Sequence, residues 1–172
     1  MAWSVNNDLI KGNDLNLYLV VLGASSAMTK DKVATAEVIA YSSSCSLEIN
    51  ADTLDVTSKL SCRWNASVPG NGSYTVNADA LYCLKSAAKA NSAYTIDDLY
   101  ETMVEGYNIG WVMAQDSSDI CGTISGPDTS KPYYYGEGVI TSLSISAGNN
   151  EIVSSSISIT GSGKPEFEDG TA

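Results

Sequence analysis

The chain has 172 residues, enough for one domain with a hydrophobic core, and carries nine Lys or Arg residues against twenty Asp or Glu residues, a net charge of −11. This acidic balance argues against binding nucleic acid through its phosphates, which requires basic surface patches. The absence of histidine excludes most hydrolase templates and metal sites, because histidine is the usual general base near neutral pH and the commonest metal ligand.

The first half of the chain contains a polar arm followed by four segments with strand patterns. Residues 1–14 are polar, which predicts an N-terminal arm outside the core. The compact apolar run of residues 15–22 predicts a buried strand. In residues 73–83 apolar side chains alternate with polar ones, which predicts a half-buried strand. Two further strands are predicted at residues 33–41 and 44–50.

A long polar loop, residues 51–64, joins two of these strands, and a turn is predicted after it at residues 69–72. The loop contains no catalytic group. Because loops on a rigid scaffold usually carry function, we expect this one to make contacts. Trp64 at its end is either a core anchor, the more frequent role, or an interface hot spot.

One amphipathic helix is predicted between Thr95 and Gly106. Thr95 is a suitable N-cap, and acidic residues in the first turn favour the positive end of the helix dipole. Gly106 is expected to end the helix. The expected apolar face consists of Ile96, Leu99, Tyr100 and Met103.

The last third of the chain predicts a strand at residues 108–115, a loop at residues 116–131 and a hairpin of residues 133–147 and 152–160. One face of the hairpin is apolar and the other is made of serines. The apolar residues are Val139, Leu143, Ile145, Val153, Ile157 and Ile159, and the serines are Ser142, Ser144, Ser146, Ser154, Ser156 and Ser158. Apolar and polar side chains alternate in this way in antiparallel sheets with one solvated face, and the same pattern is expected for a sheet that lines a wide aqueous space.

Three consecutive tyrosines, Tyr133, Tyr134 and Tyr135, place aromatic rings on both faces of the strand that opens this hairpin. The pattern fits an aromatic edge strand and fits equally a strand buried by both the core and a partner. We therefore treat these tyrosines as candidate subunit contacts.

The four cysteines are too widely spread for a zinc site or a redox Cys-x-x-Cys motif. They are Cys45, Cys62, Cys83 and Cys121. The N-terminal residues lack the basic region and apolar run of a signal peptide, so we expect reduced, mostly packed thiols in a protein made in a cytosol. The longest apolar stretch, residues 17–22, is too short to span a bilayer.

The remaining groups with catalytic potential lack the required spacing. Asp97 and Asp98 are neighbours on a helix and point in different directions. Asp116 and Asp119 lack the spacing and glycine of an EF-hand. The Ser58-Lys59 pair lacks the Ser-x-x-Lys spacing of a Ser-Lys catalyst. We therefore predict a structural or binding protein, not an enzyme, with neither a catalytic site nor a cofactor or metal.

The order and spacing of these elements over residues 15–163 resemble the major tail tube proteins of long-tailed bacteriophages. No single piece of the match is specific, but the pieces follow one another in the family's order. After the first strand they are residues 39–49, residues 55–59 with Trp64, residues 72–76, residues 79–82, residues 139–147 and the closing Gly161-Ser162-Gly163.

The resemblance implies a mainly β fold, with two packed antiparallel sheets (a β-sandwich or barrel) flanked by one α-helix, in a single domain over residues 1–172. Six subunits would form a ring whose inner sheets join into a β-barrel around a channel, and rings would stack into a tube. Residues 51–64 would form the loop between rings, and residues 1–14 and 161–172 would form arms. The expected stacking residues are Asp52, Asp55, Thr57, Ser58, Lys59, Arg63 and Trp64.

The implied function is a virion structural protein, assembled in the host cytoplasm, whose tube conducts DNA to the host during ejection without specific DNA binding. The implied partners are further copies of the chain, the tape-measure protein, a sheath and a tail terminator, with no cofactor and no membrane. The related alternatives are a tail terminator or completion protein and the inner tube of a contractile injection or type VI secretion system. Alternatives from other classes are a secreted β-sandwich that binds carbohydrate or protein and, more weakly, a carboxylate-dyad glycosidase.

Overall fold

The computed structural model describes residues 10, 12–24, 27–58, 64–86, 92–117 and 125–170. The described elements are a 3-10 turn (Gly12–Asp14), eight strands and two helices. The strands are β1 (Leu15–Gly23), β2 (Glu37–Ile39), β3 (Ser42–Asp55), β4 (Ser67–Leu81), β5 (Ala93–Tyr94), β6 (Asn108–Gln115), β7 (Tyr133–Ser146) and β8 (Ser154–Glu168), and the helices are α1 (Lys30–Val33) and α2 (Ile96–Glu105).

The eight strands form one hydrogen-bonded sheet in the order β3-β4-β8-β7-β6-β1-β2-β5. The structure therefore does not confirm the two separate sheets that we expected, since hydrogen bonds join all eight described strands. In a flat sheet β3 and β1 would lie about 24 Å apart, because five strand spacings separate them. Instead Cys45 Sγ on β3 lies 3.7 Å from the Leu15 carbonyl oxygen on β1. The sheet thus folds over on itself and encloses the main core as a sandwich would.

The main core lies between the two halves of the folded sheet and is closed by α2. It takes buried side chains from β1, β4, β6, β7 and β8, which include Trp111, Val76 and Ile159. Leu99 of α2 is fully buried in the same cluster. The mainly β fold with a flanking helix is therefore confirmed, although the second, one-turn helix α1 was not expected.

A second core covers the opposite face of β1 and β6. It contains Tyr18 and Val112 from these strands, Tyr133 from the start of β7 and Val33 from α1. Because both of their faces are covered, neither β1 nor β6 has an exposed residue, and β6 is buried except at its two end residues. This explains why residues 15–22 form a continuous apolar run rather than an alternating one.

Helix α2 has both of the caps that the sequence predicts. Thr95 accepts a hydrogen bond from the Asp98 backbone at 3.3 Å, and Asp98 accepts one from the Thr95 backbone at 3.1 Å, which completes a capping box. Gly106 ends the helix with a φ of 71°. The predicted apolar face is only half correct, because Ile96 and Leu99 are buried whereas Tyr100 and Met103 are exposed.

Several predicted loops are in fact strand. Residues 51–55 and 69–72, predicted as loop and turn, continue the ladder between β3 and β4. Residues 161–168, which belong to the proposed C-terminal arm, also form strand, because they continue β8 against β7. Polar and glycine-rich segments such as these give no alternating pattern, yet backbone pairing holds them in strands. Conversely, residues 33–41 contain only the short β2, since Val33 ends α1.

Candidate assembly surfaces

The adjacent carboxylates Asp97 and Asp98 both have partners within the subunit. The part of the chain that the structure describes contains no cluster of three or more His, Cys, Asp or Glu side chains suited to a metal ion. Asp97 accepts a hydrogen bond from the Tyr82 hydroxyl, and Asp98 forms a 2.6 Å ion pair with Lys85 besides capping α2. Both aspartates therefore have structural roles. No described helix is long and apolar enough to cross a membrane.

The two cysteines within the described residues, Cys45 and Cys83, are free thiols. Desolvation by burial raises the pKa of each of them, so both stay protonated at neutral pH. The other two, Cys62 and Cys121, lie outside the described residues, as does Asp119.

A two-stranded arm projects from one end of the sheet. Strands β3 and β4 pair along nearly their whole length, whereas β8 pairs with β4 only over residues 75–81. On the N-terminal side of Thr75, the hairpin of β3 and β4 therefore has no third strand beside it among the described residues. We call residues 51–58 and 64–73 of this hairpin the arm. Its strand residues 67–73 span about 23 Å at the rise of a β-strand. The arm is thus long enough to reach a neighbouring molecule.

Hydrogen bonds continue the arm's ladder past the strand ends. The Val56 backbone donates to the Ala66 carbonyl at 2.8 Å, and the Ala66 backbone donates to Thr57 Oγ1 at 2.9 Å. The Thr57 backbone donates to Asp55 Oδ1 at 2.7 Å. The hydrogen bonds from the side chain and backbone of Thr57 hold the pKa of Asp55 below its usual value. The predicted stacking residues Asp55 and Thr57 therefore shape the arm itself.

Large apolar side chains on the arm have no cover within the subunit. Trp64 is 81% exposed, so its interpretation as a core anchor is wrong. Leu54 and Val68, which face each other across the ladder, and Val56 are also exposed. Exposed apolar side chains on a projecting element are typical of contact sites. The remaining predicted stacking residues divide into two groups: Asp52 and Ser58 are exposed, whereas Lys59 and Arg63 lie outside the described residues.

Tyr74 holds the root of the arm against the core. Its buried ring lies directly over Gly161, and its hydroxyl donates to the Glu137 carbonyl. Trp111 Nε1 donates to the same hydroxyl at 3.4 Å. One side chain thus joins β4 to β6, β7 and β8 at the point where the arm leaves the sheet. The alternating pattern placed Tyr74 on a buried face but carried no signal of these contacts.

Four strands present a continuous polar face on the side away from the core. The register aligns Ser44 and Asp79 with Ser156 and Ser144 across β3, β4, β8 and β7. Hydroxyl and carboxylate groups on this face bond to one another, with Ser44 Oγ to Asp79 Oδ2 at 2.6 Å and Ser144 Oγ to Ser156 Oγ at 2.7 Å. We call this surface the polar face. Strands β3 and β4 and residues 139–146 and 154–160 contain no Lys or Arg.

The predicted apolar face of the final hairpin needs a correction. Ile157 and Ile159 are buried as expected, but Val139 and Ile145 are exposed. A β-bulge between Ile140 and Ser142 adds one residue to β7, so the side chains before and after it alternate in opposite phase. Ile140, not Val139, therefore faces the core.

The four strands that carry the polar face end in two unpaired edges. Strand β3 is the last strand of the sheet on one side. On the other side, β6 pairs with β7 only as far as Gly138, so residues 139–146 have no second neighbour among the described strands. Edges of this length pair readily with another chain. The four strands therefore form a unit, which we call the open unit, that can be extended on both sides.

The three consecutive tyrosines have different environments. Tyr133 is buried in the second core, and Tyr135 lies beside it with ring centroids 5.9 Å apart. Tyr134 points to the opposite face, where it is exposed and packs on Phe167 at 4.9 Å. Of the predicted contact aromatics, Tyr134 is thus the most available to a partner, together with Phe167, which was not predicted.

Comparison with known proteins identifies the family. The phage tail tube protein family matches residues 11–167. No curated protein sequence matches the chain. Among solved structures, the chain is similar to a chain of the tail of an empty gene transfer agent particle with C6 symmetry, with a TM-score of 0.64, 19% identity and coverage of 93% of this chain and 99% of that one.

Two other solved structures share the fold. The SPP1 tail tube gives a TM-score of 0.62 at 14% identity, with coverage of 95% of this chain and 81% of that one. The baseplate of the anti-feeding prophage gives a TM-score of 0.57 at 6% identity and full coverage of both chains. Because the family match spans nearly the whole sequence, the chain belongs to the phage tail tube protein family, and it is a structural component of the virion tail rather than an enzyme.

Proposed function

We propose that six copies of this chain form a ring, that rings stack into a tail tube, and that the tube conducts DNA to the host during ejection. The observation that carries the proposal is the open unit, since its two unpaired edges allow neighbouring subunits to continue one sheet. The C6 symmetry of the similar gene transfer agent tail supports six as the number of copies.

Ring closure would pair β3 of one subunit with residues 139–146 of the next. Six copies of four strands give 6 × 4 = 24 strands in a closed barrel. At a spacing of about 4.8 Å, the circumference is roughly 115 Å and the diameter about 37 Å between backbones, and strand tilt widens it further. Such a barrel is wider than a DNA double helix. Closure also removes both exposed edges, which would otherwise favour aggregation.

The polar face is the surface that we assign to the channel. The opposite face of the open unit forms the core, so only the polar face can line a barrel made from these strands. Its carboxylates, among them Asp79 and Glu48, repel DNA phosphates, while its hydroxyl groups bond to one another. Six copies at −11 carry 6 × −11 = −66 charges per ring. DNA would therefore pass through the channel without binding specifically.

The arm would provide the contact between rings. Its apolar side chains, of which Trp64 is the most exposed, are uncovered in the subunit and need a partner. We further propose that Lys59 and Arg63 meet acidic groups of the neighbouring ring, since they are two of only nine basic residues. In this arrangement the tape-measure protein would occupy the channel before DNA enters, and a terminator would close the tube.

A second candidate function is the inner tube of a contractile injection or type VI secretion device. Its support is the likeness in fold to the anti-feeding prophage baseplate. Electron microscopy of particles that contain this chain discriminates the two candidates, because a contractile device shows a sheath around the tube. A bare tube would contradict the second candidate and favour a non-contractile phage tail.

Electron microscopy of the purified protein tests the proposed function. We expect hollow tubes or six-membered rings, because the edges of the open unit are unpaired and the apolar side chains of the arm are exposed in the isolated subunit. The fraction of protein in assemblies should rise with protein concentration. A stable monomer that forms neither rings nor tubes at high concentration would contradict the proposal.

Thiol labelling of tubes tests the assignment of the channel face. In a background with all four cysteines replaced by serine, Ser156→Cys places a thiol on the polar face, and Tyr100→Cys places one on the exposed side of α2 as a control. A small maleimide should label both variants. A maleimide carrying a large polymer should label Tyr100→Cys much faster, because the channel excludes it. Equal rates for the two variants would place the polar face outside the tube.

A further inference from the structure

We infer that the arm of one subunit docks on a set of exposed apolar side chains at the opposite end of the open unit, in a subunit of the next ring. We call this set the rim, and it consists of Tyr41, Leu81, Leu84, Ile145 and Ile152. The inference rests on the proposed function, because it requires stacked rings. It adds the surface that receives the arm, which the sequence did not indicate.

The backbones of the rim residues are neighbours at one end of the open unit. The Leu81 backbone donates to the Tyr41 carbonyl at 3.1 Å. The Tyr82 backbone donates at 2.9 Å to the carbonyl of Val153, the residue after Ile152. Ile145 pairs with Ser155 at the start of β8. The rim residues thus lie at or just beyond the ends of the four strands of the open unit, and every one of them is exposed.

The backbone at Tyr41 provides independent support for a contact. Its φ is 52°, in the left-handed region that a bulky residue rarely adopts and that glycine or asparagine would tolerate better. Nevertheless the ring of Tyr41 is 64% exposed, so packing within the subunit does not account for the choice of residue. Strained residues of this kind concentrate at functional sites. A docking arm on this ring would account for a tyrosine at a position that disfavours it.

The direction of the strands brings the arm of one subunit to the rim of another. Strand β3 begins next to Tyr41 and ends in the arm at Asp55. Its 14 residues separate the two surfaces by about 46 Å, measured along the strand. When identical subunits stack head to tail along this direction, each arm points at the rim of the next subunit. A contact between two different surfaces of the same chain builds an open filament, which is the form of a stacked tube.

The two surfaces have matching chemistry. The arm offers Trp64, Leu54, Val56 and Val68, and the rim offers aromatic and aliphatic side chains of similar size. Aromatic residues such as Trp64 and Tyr41 contribute most where they become fully buried in an interface. Because six arms would engage six rims at each junction, a modest contact per subunit suffices to hold two rings together.

Substitution of Tyr41 separates docking from folding. Tyr41→Asn removes the ring but suits the left-handed backbone, so its melting temperature should equal or exceed that of the unchanged chain. We expect the critical concentration for tube growth to rise roughly tenfold, with ring formation intact, because an interface aromatic is lost. Tyr100→Asn, which removes a comparably exposed ring from α2, is the matched control and should leave tube growth unchanged.

Photo-crosslinking identifies the receiving surface directly. With benzoyl-phenylalanine in place of Trp64, irradiated tubes should yield crosslinked peptides that contain Tyr41, residues 81–84 or Ile152. Crosslinks to residues 100–107 of the α2 region, or normal tube growth by Tyr41→Asn, would overturn the inference while the proposed tube function stands. Failure of the unchanged chain to form any tube would instead contradict the proposed function.

Discussion

Deletion of residues 52–69 is expected to leave folded subunits that form rings but no tubes. The deletion joins Ala51 to Gly70, so Gly70 and Asn71 become a two-residue turn between the paired residues Ala51 and Gly72. Gly-Asn is a favoured sequence for such a hairpin turn. All the described residues that are removed are exposed except Ala66, which is half-buried. The core therefore loses nothing, whereas the apolar contacts between rings disappear.

Sedimentation velocity and negative-stain electron microscopy would measure this result. The deleted chain should sediment as rings at every concentration at which the unchanged chain forms tubes, and both should melt at similar temperatures. Tubes of normal length from the deleted chain would refute the role of the arm.

A milder variant, with both Lys59 and Arg63 changed to Glu, tests their proposed contact with acidic groups. Unaltered assembly of this variant would remove that contact from the proposal.

Gly161→Ala is expected to cost about 3 kcal/mol of folding free energy, the upper range for overpacking of a core. A Cβ atom at this position would lie 2.2 Å from Cζ of Tyr74, whose ring is buried and bonded to β6 and β7. The ring cannot move away without breaking those hydrogen bonds. The variant should therefore unfold at a clearly lower urea concentration than the unchanged chain.

Gly72→Ala is the matched control for this prediction. Gly72 lies within β4, as Gly161 lies within β8, but the nearest atom to a Cβ added at Gly72 is the Asn50 carbonyl oxygen at an ordinary 3.8 Å. We expect its stability to change by less than about 0.5 kcal/mol. Urea denaturation should be compared at protein concentrations below the threshold for tube growth, so that assembly does not mask the difference. Equal midpoints for the two variants would show that Tyr74 does not hold the arm root rigidly.

The accuracy of the sequence predictions depended on the range of the interactions involved. Helix α2 was predicted to the residue, because its capping box and its terminal glycine act within a few positions of the chain. Strand β6 was also located correctly, since an apolar run that is buried on both faces is visible in the sequence. In contrast, the arm was predicted as a loop. Its polar residues show no pattern that is typical of a strand. They form strands only because β3 and β4 pair with each other.

The amino-acid sequence by itself determined the acidic charge, the lack of catalytic histidine chemistry, the β-rich class and the serine-rich strands, all of which follow from composition and local periodicity. The tertiary structure alone decided that one sheet folds over, that a bulge turns Val139 outward and that Trp64 is uncovered. It also placed the arm and the rim at opposite ends of the same strands. These features depend on the register between strands far apart in the chain, and register is a property of pairing rather than of any one segment.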